Sequence, residues 1–235
     1  MNREQAESVL QRIFKHPKFH NEQWETIEKI LKGEKVLLIE KTGFGKSLCF
    51  QFPAVVFPGT TVIFSPLIAL MRNQIERAGQ LGLKVVSINS SQSPEQNDYA
   101  KQQIINQNVD AVIISPEQLA NDEMIEDVLS HIISNIGLFV VDEAHCISDW
   151  GHDFRPDYRR IVRVLQHMPA NMPILATTAT ANHRVITDIN QQLGRYLQTI
   201  RGDLKRNSLY LQNIPTSSRV ERMAWLADKI PQLEG

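Results

Sequence analysis

The order of apolar and polar positions predicts an alternation of short strands and amphipathic helices. Continuous apolar runs predict buried strands at 36–39, 61–65, 84–88, 110–114, 137–141, 173–178 and 196–201. Apolar residues at helical spacing predict helices at 3–15, 21–32, 67–81, 94–107, 122–134, 156–167, 182–193 and 218–230. Apolar strands separated by helices favour the α/β class, with a mostly parallel sheet that carries helices on both faces.

Residues at the predicted helix ends support these boundaries. Ser93 is a good N-cap, and Pro94 follows it at the first helical position. Gly82 and Gly194 stand where two helical patterns stop, as expected for glycines that end a helix. No internal repeat and no low-complexity segment interrupts the alternation.

Composition and charge are those of an ordinary globular protein. The chain has 235 residues, of which 42% are hydrophobic and 22% charged, so it is long enough to bury a sizeable core. The formal net charge of −1 gives no basic field over the whole molecule. This charge argues against a protein that passively coats nucleic acid, but it is compatible with a motor that grips a few phosphates.

Cysteine usage and the N-terminal sequence predict a reduced, intracellular protein of the cytoplasm. Cys49 and Cys146 are the only two cysteines, and they lie too far apart in sequence to form a C-x-x-C pair. No apolar run has the length of a membrane span, and no signal-peptide core is seen. His145, Cys146, His152 and Asp153 could be interpreted as metal ligands, but no second pair has the spacing of a closed zinc site.

The stretch 36–49, VLLIEKTGFGKSLC, joins an apolar strand to a glycine-rich turn and the start of a helix. Backbone N–H groups at such a turn point outward at the positive end of the helix dipole, where they bind phosphate. Lys46 would add a cation, and the Ser47 hydroxyl a ligand for Mg²⁺. The pattern G-x-x-x-x-G-K-[ST] is not fully met, because its first position is Glu40. The alternative is a plain turn with a solvated lysine. Predicted nucleotide contacts here are Thr42, Gly43, Phe44, Gly45, Lys46, Ser47 and Leu48.

A second apolar strand, 138–141, ends in the adjacent carboxylates Asp142 and Glu143. Catalytic groups of open α/β sheets gather at the carboxyl ends of strands. Asp142 can hold Mg²⁺ through its water shell, and Glu143 can activate the attacking water. Alone, such a pair is usually a solvated loop. Combined with a phosphate loop it predicts nucleotide hydrolysis, with Lys46, Asp142 and Glu143 as the catalytic residues.

Several motifs resemble those of RecQ-type DNA helicases and stand in the same order. They are EKTGFGKS (40–47), SPLIALMRNQ (65–74), SPEQL (115–119), DEAHCISDWGHDFRPDY (142–158) and TTATA (177–181). The resemblance runs from about residue 9 to residue 213. It implies a RecA-like P-loop NTPase lobe at 1–201, in which 1–33 carries the adenine-recognition motif. It also implies use of ATP and Mg²⁺, translocation with 3′-to-5′ polarity, and a part in DNA repair or recombination.

The resemblance also assigns roles around the nucleotide. Lys46 and Ser47 resemble the phosphate and Mg²⁺ ligands, and His145 resembles a link toward the DNA-sensing elements. Gln23 is similar to a glutamine that reads the adenine edge, which an amide can do by donating and accepting at once. The sequence departs from the family where His16 replaces the usual tyrosine and His20 the usual arginine. Phe44 replaces a glycine and Lys41 a proline.

The block 142–158 resembles the aromatic-rich loop of the family, which implies contact with single-stranded DNA and duplex junctions. Aromatic side chains stack on unpaired bases of any sequence. The predicted DNA and coupling residues are Arg72, Asn73, His145, Trp150, His152, Phe154, Arg155, Thr178 and Thr180. The structural alternatives are a small hydrophobic cluster around Trp150 and Phe154, and an ordinary β-branched strand at 177–180.

A helicase of this family hydrolyses ATP between two RecA-like lobes, and the second lobe supplies an arginine finger. Residues 204–211, LKRNSLYL, resemble the start of that lobe, so 202–235 is expected to be a connector that leads into it. The segment from Gln191 to Arg195 superficially resembles an arginine-finger motif, but Gly194 is better explained as a helix cap. We therefore expect a fragment of a longer helicase, and a stand-alone lobe is the alternative. A binding module without turnover and an RNA-directed DEAH-type helicase are the alternatives.

Overall fold

The computed structural model describes residues 1–121, 124–194, 197–204 and 212–232. In this part of the chain, seven parallel strands form one sheet in the order β3-β4-β2-β5-β6-β1-β7. The strands are β1 Lys35–Ile39, β2 Thr60–Phe64, β3 Val85–Ile88, β4 Ala111–Ile114, β5 Ile136–Val141, β6 Ile174–Thr178 and β7 Gln198–Arg201. The predicted strands and the predicted parallel α/β class are confirmed.

Helices connect the strands much as the apolar pattern predicts. They are α1 Arg3–Val9, α2 Asn21–Leu31, α3 Leu48–Val56, α4 Ile68–Gln80, α5 Pro94–Ile105, α6 Ile161–Gln166, α7 His183–Leu193 and α8 Arg219–Lys229. The Ser93 side chain caps α5 by accepting from the Gln96 N–H. Gly82 follows α4 with a φ of +79°, a conformation that glycine adopts without strain.

The prediction of one α-helix over 122–134 is wrong in its described part. Met124–Val128 form a π-helical turn, and Leu129–His131 and Ile133–Asn135 form short 3₁₀ turns. The buried side chains still recur at helical spacing, but Ile125, Val128, Ile132 and Ile133 are β-branched, which lowers helix propensity. Two other helices are shorter than predicted: α1 passes into a π-helical turn at Leu10–Phe14, and 3₁₀ winding at Pro156–Arg160 precedes α6.

Alternate residues of the strands face two separate hydrophobic cores. On β1, Val36 and Leu38 pack with α1, α2, α3 and α4, whereas Leu37 and Ile39 pack with α5, α6 and α7. This period of two, with both sets apolar, is what a doubly covered strand requires. The sheet is therefore buried on both faces, and its edge remains the place where polar groups can be exposed.

The chain divides into two compact units, Met1–Leu204 and Lys205–Gly235. The described part of the second unit contains α8, whose N-cap Ser218 accepts from the Glu221 N–H. Val220, Met223 and Ile230 are exposed hydrophobic residues of this unit. Of the LKRNSLYL segment (204–211), residues 205–211 lie outside the described residues, and so does Arg195.

Gly59, just before β2, is a position where the fold requires glycine. Its φ is +96°, and an added Cβ would lie 2.3 Å from the Asn135 carbonyl oxygen. We expect Gly59→Ala to lower the free energy of unfolding by ~2 kcal/mol or more, because strain and a backbone clash combine. Urea denaturation measures this.

Gly79→Ala is the matched control, because Gly79 lies within α4 with nothing within 4 Å of an added Cβ. It should raise stability by roughly 0.5–1 kcal/mol. Equal stability of the two variants would contradict the structural role given to Gly59.

Candidate functional site

The segments with candidate chemistry meet at one edge of the sheet. They follow the carboxyl ends of β1, β5 and β6, and β6 lies between the other two strands. Because all three strands are parallel, their carboxyl ends lie at the same edge. The structure thus brings the glycine-rich turn, the Asp-Glu pair and the threonine run together.

The glycine-rich turn leaves backbone donors free at the start of α3. Gly43 and Gly45 have φ values of +86° and +90°, which turn the chain back before Leu48 begins the helix. Among the described residues, no acceptor receives the backbone N–H of Gly45, Lys46 or Ser47. Free N–H groups at a helix N-terminus form a site for an anionic group, so the local structure fits the phosphates of a nucleotide.

Lys46 lies between its own loop and the two carboxylates. Its Nζ donates to the Glu40 carbonyl oxygen at 2.8 Å and lies 3.4 Å from the Lys41 carbonyl oxygen. Burial lowers the pKa of Lys46, although the charges of Glu143 and Asp142 act in the opposite direction. The ammonium group is therefore held inside the site. The alternative of a plain turn required a solvated lysine.

Asp142 has a buried carboxylate that accepts three hydrogen bonds. Its Oδ1 accepts from the Thr177 hydroxyl at 2.6 Å and from the Glu143 N–H at 3.1 Å, and its Oδ2 accepts from Gln74 Nε2 at 3.3 Å. The buried Tyr158 hydroxyl donates to the Asp142 carbonyl oxygen at 2.9 Å. Burial raises the pKa of Asp142.

Three of these partners, Gln74, Thr177 and Tyr158, were missed by the sequence reasoning. All three belong to the motif blocks, since Gln74 and Tyr158 end two of them and Thr177 opens a third. Hydroxyl and carboxylate oxygens are what Mg²⁺ prefers, so Ser47 and this oriented carboxylate fit the ion chemically.

Glu143 has a strained backbone and a hydrogen-bonded carboxylate. Its φ and ψ of 50° and 47° are left-handed, which is unusual for a residue other than glycine and typical of functional positions. His145 Nδ1 lies 3.2 Å from its Oε2. Burial alone would raise the pKa of Glu143, but the hydrogen bond from His145 and the nearby positive charges hold it below the ordinary value. The group is therefore ionised and able to accept a proton.

The hydrogen bonds of Thr178 fix the tautomer of the buried His145. The Thr178 hydroxyl donates to the Thr180 carbonyl oxygen at 3.0 Å, so it must accept from His145 Nδ1, 2.9 Å away. The proton on Nδ1 thus points to both Thr178 and Glu143. This arrangement joins the end of β6 to the Asp-Glu pair, as the predicted relay requires.

His152 extends this connection into the aromatic loop, which we define as residues 148–155. Its ring stacks on that of His145 with centroids 4.2 Å apart and an interplanar angle of 19°. The Thr180 hydroxyl lies 3.2 Å from His152 Nδ1. A continuous path of contacts therefore leads from Glu143 through His145 to the aromatic loop.

The aromatic loop presents Trp150 to solvent. Trp150 is 60% exposed, so the alternative of a hydrophobic cluster around it is wrong. Arg155, one of the predicted DNA contacts, is half-buried: its Nε and Nη2 donate to Asp153 at 3.1 and 2.9 Å, and its Nη1 donates to the Pro66 carbonyl oxygen at 3.1 Å. Phe154 is half-buried beneath the guanidinium of Arg159 at 5.2 Å. Arg72 and Asn73 are exposed on α4.

A cavity of about 550 Å³ beside the glycine-rich turn contains the predicted base-contacting residues. His16, His20, Gln23 and Phe44 all line it, and the rings of His20 and Phe44 pack 5.3 Å apart. Gln23 Oε1 accepts from the His20 N–H at 2.9 Å, and Gln23 Nε2 donates to the Phe44 carbonyl oxygen at 3.2 Å. The amide thus joins the N-terminal segment to the turn, and its adenine-reading role stays a prediction.

None of the helices in the described part of the chain is long and apolar enough to cross a bilayer.

Solved structures share the fold of this chain. A hypothetical ATP-dependent RNA helicase from Sulfolobus tokodaii matches 86% of the chain with a TM-score of 0.63 and 20% identity, over 57% of its own length. The DNA-bound DUF1998 helicase MrfA matches 86% with a TM-score of 0.65 and 16% identity, over 30% of its length. At these identities the similarity shows the fold alone, which is that of RecA-like helicase domains.

Other proteins are more similar to this chain in sequence than these solved structures are. The ATP-dependent DNA helicases RecQ of Haemophilus influenzae and Bacillus subtilis are 38% and 40% identical over 80% of the chain. The ATP-dependent helicase SGS1 of Saccharomyces cerevisiae is 40% identical over 78% of it. The chain spans 30%, 32% and 13% of these three proteins, respectively.

The family model described as "DEAD/DEAH box helicase" matches residues 20–189. That range includes the glycine-rich turn, the Asp-Glu pair, the aromatic loop and most of α7. The chain belongs to the DEAD/DEAH box helicase family, and within that family it is similar to RecQ helicases.

Proposed function

We propose that this chain is the ATP-binding motor lobe of a RecQ-like, ATP-dependent DNA helicase with 3′-to-5′ polarity. The path of contacts from Glu143 through His145 and His152 to the exposed Trp150 loop carries the proposal. It connects a site fit for nucleotide hydrolysis to a surface fit for unpaired bases. We also propose a role in DNA repair or recombination and a location in the cytoplasm. We further propose that 1–201 is the lobe and 202–235 leads into a second one.

At the nucleotide, the free N–H groups of Gly45 to Ser47 bind the phosphates of ATP, and Lys46 adds positive charge. Ser47 and Asp142 would hold Mg²⁺, which would neutralise negative charge on those phosphates. Glu143, ionised and fixed by His145, accepts the proton of the attacking water. Gln23, His16 and His20 contact the adenine, and Phe44 forms part of the same cavity wall.

On the DNA side, Trp150 stacks on bases, while Arg72 and Asn73 contact phosphates from α4. His152, Phe154 and Arg155 hold the loop in shape and complete the contact surface. Thr178 and Thr180 transmit the state of the loop to Glu143 through their bonds to His145 and His152. DNA bound at the loop can thereby bias hydrolysis through short contacts.

Trp150→Ala in the full-length enzyme tests this proposal. Base stacking is worth ~1–3 kcal/mol per base, so we expect single-stranded DNA to bind roughly five- to 150-fold more weakly. Stimulation of ATP hydrolysis by DNA and unwinding should fall much more than hydrolysis measured without DNA. Steady-state ATPase assays with and without oligo-dT measure both.

Trp225→Ala, which removes an exposed indole from α8, is the control for loss of an indole away from the aromatic loop. DNA stimulation that is unchanged in Trp150→Ala would contradict the proposed function. Parallel assays with single-stranded RNA address the RNA-directed alternative, which predicts stronger stimulation by RNA than by DNA.

A further inference from the structure

Arg184, at the start of α7, lies over the indole of Trp150. The guanidinium carbon is 4.7 Å from the ring centroid, which is the distance of a cation–π contact. Asn182 caps α7 by accepting from the Val185 N–H at 3.0 Å, so the backbone that carries Arg184 is fixed. Arg184 is itself exposed and lies in none of the motifs that the sequence analysis identified.

Helix α7 also holds the backbone of the aromatic loop next to Trp150. The Ser148 hydroxyl donates to Asp188 at 2.5 Å and accepts from the Trp150 N–H at 3.2 Å. Because Arg184 and Asp188 are four residues apart on a helix, they lie on the same face. One face of α7 therefore fixes the loop twice, through the side-chain hydroxyl of Ser148 and through the ring of Trp150.

The chain on the other side of Trp150 is equally restricted. A Cβ added at Gly151 would lie 2.2 Å from the His145 carbonyl oxygen, so the loop passes directly against the histidine. These contacts fix the backbone on both sides of Trp150, so only the orientation of its indole ring is left to other contacts. Arg184 contacts one face of the ring, and the exposure of the residue leaves surface for a base.

We propose that Arg184 is the positioning residue that holds the Trp150 indole ready to stack on a base of single-stranded DNA. The proposal rests on the proposed function, because it deepens the role of the aromatic loop. Holding the ring in one orientation reduces the rotamer freedom lost when a base binds. The guanidinium acts here through the ring, and a direct phosphate contact is the competing explanation.

Fluorescence anisotropy with two labelled strands of equal length separates the explanations. One strand is oligo-dT, and the other is an abasic strand that keeps the phosphates but offers no bases. Cation–π contacts at exposed sites are worth ~0.5–1 kcal/mol, so Arg184→Ala should weaken binding of oligo-dT roughly two- to fivefold. Binding of the abasic strand and the salt dependence should stay unchanged. Arg12→Ala, which removes an exposed arginine on the N-terminal segment, is the charge-matched control.

A double-mutant cycle with Trp150→Ala completes the design. Once the indole is gone, Arg184→Ala should have no further effect, because the two residues act together. A conservative Arg184→Lys should lose less affinity than Arg184→Ala, and thermal melting of every variant checks the fold.

Two results would overturn the proposal. The first is an equal loss on both strands with a salt slope lowered by about 0.7, which identifies a phosphate contact. The second is unchanged binding of oligo-dT by Arg184→Ala. A failure of the proposed function looks different: wild-type chain and Trp150→Ala would then bind oligo-dT equally well, or neither would bind it at low salt.

Discussion

Glu143→Gln is expected to stop ATP hydrolysis by the full-length enzyme while leaving nucleotide binding intact. The amide keeps the size of the side chain but cannot accept the proton of the attacking water. A positioned general base contributes ~10²–10⁴ in rate, so turnover should fall by at least two orders of magnitude. The Gly45–Ser47 donors that would bind the phosphates are untouched. Single-turnover hydrolysis and binding of a fluorescent ATP analogue measure the two properties separately.

Lys46→Ala should behave differently, because it removes a charge from the phosphate site itself. We expect it to weaken ATP binding as well as nearly to abolish hydrolysis.

The matched control for Glu143→Gln is Glu95→Gln, at an exposed position in the first turn of α5, which should change neither ATP binding nor hydrolysis. Wild-type hydrolysis by Glu143→Gln would show that another group activates the water, and our assignment would fail.

The sheet and the position of the candidate site could be predicted from the sequence because their signals are local. Short apolar runs such as Val36–Ile39 admit few alternatives to a buried strand once helices flank them. A glycine turn followed by Lys46 and Ser47 predicts a helix start with free donors. Since all the strands are parallel, each motif at a strand end had to arrive at the same edge.

The contacts that complete the site are long-range and carry no local signal. Gln74 and Tyr158 reach Asp142 from 68 and 16 positions away, and their bonds depend on how α4 and the 3₁₀ turn at Pro156–Arg160 pack. Arg155, predicted as a DNA contact, binds Asp153 and the Pro66 carbonyl oxygen. The contact of Arg184 with the Trp150 ring depends on the hydrogen bond between Ser148 and Asp188, which holds the loop against α7.

The helix predicted over 122–134 is replaced by π and 3₁₀ turns in its described part. Its buried side chains keep helical spacing, so the apolar pattern alone predicts a helix. Its β-branched residues lower the helix propensity that this pattern does not register. By contrast, α5 has a capping box at Ser93 and begins where the sequence predicts.

The 235-residue chain alone should hydrolyse ATP at close to the background rate and should not unwind DNA. The side chains that lower the pKa of Glu143 most are His145, Lys46 and His152, none of which is an arginine. An arginine finger, which the family resemblance places in a second lobe, is worth ~10³–10⁵ in the rate of phosphoryl transfer. Closure of such a lobe over ATP would also exclude water from the site. Nucleotide should still bind weakly, since the glycine-rich turn and the cavity with Gln23 are complete in this chain.

A coupled ATPase assay on the purified chain, with and without oligo-dT, measures this prediction beside its Lys46→Ala variant. Both proteins should give the same low rate, although only the unmodified chain should bind the nucleotide analogue. Robust DNA-stimulated turnover that disappears in Lys46→Ala would contradict the prediction. The lobe would then complete its site in another way, such as association of two chains, which a concentration dependence of the specific activity would reveal.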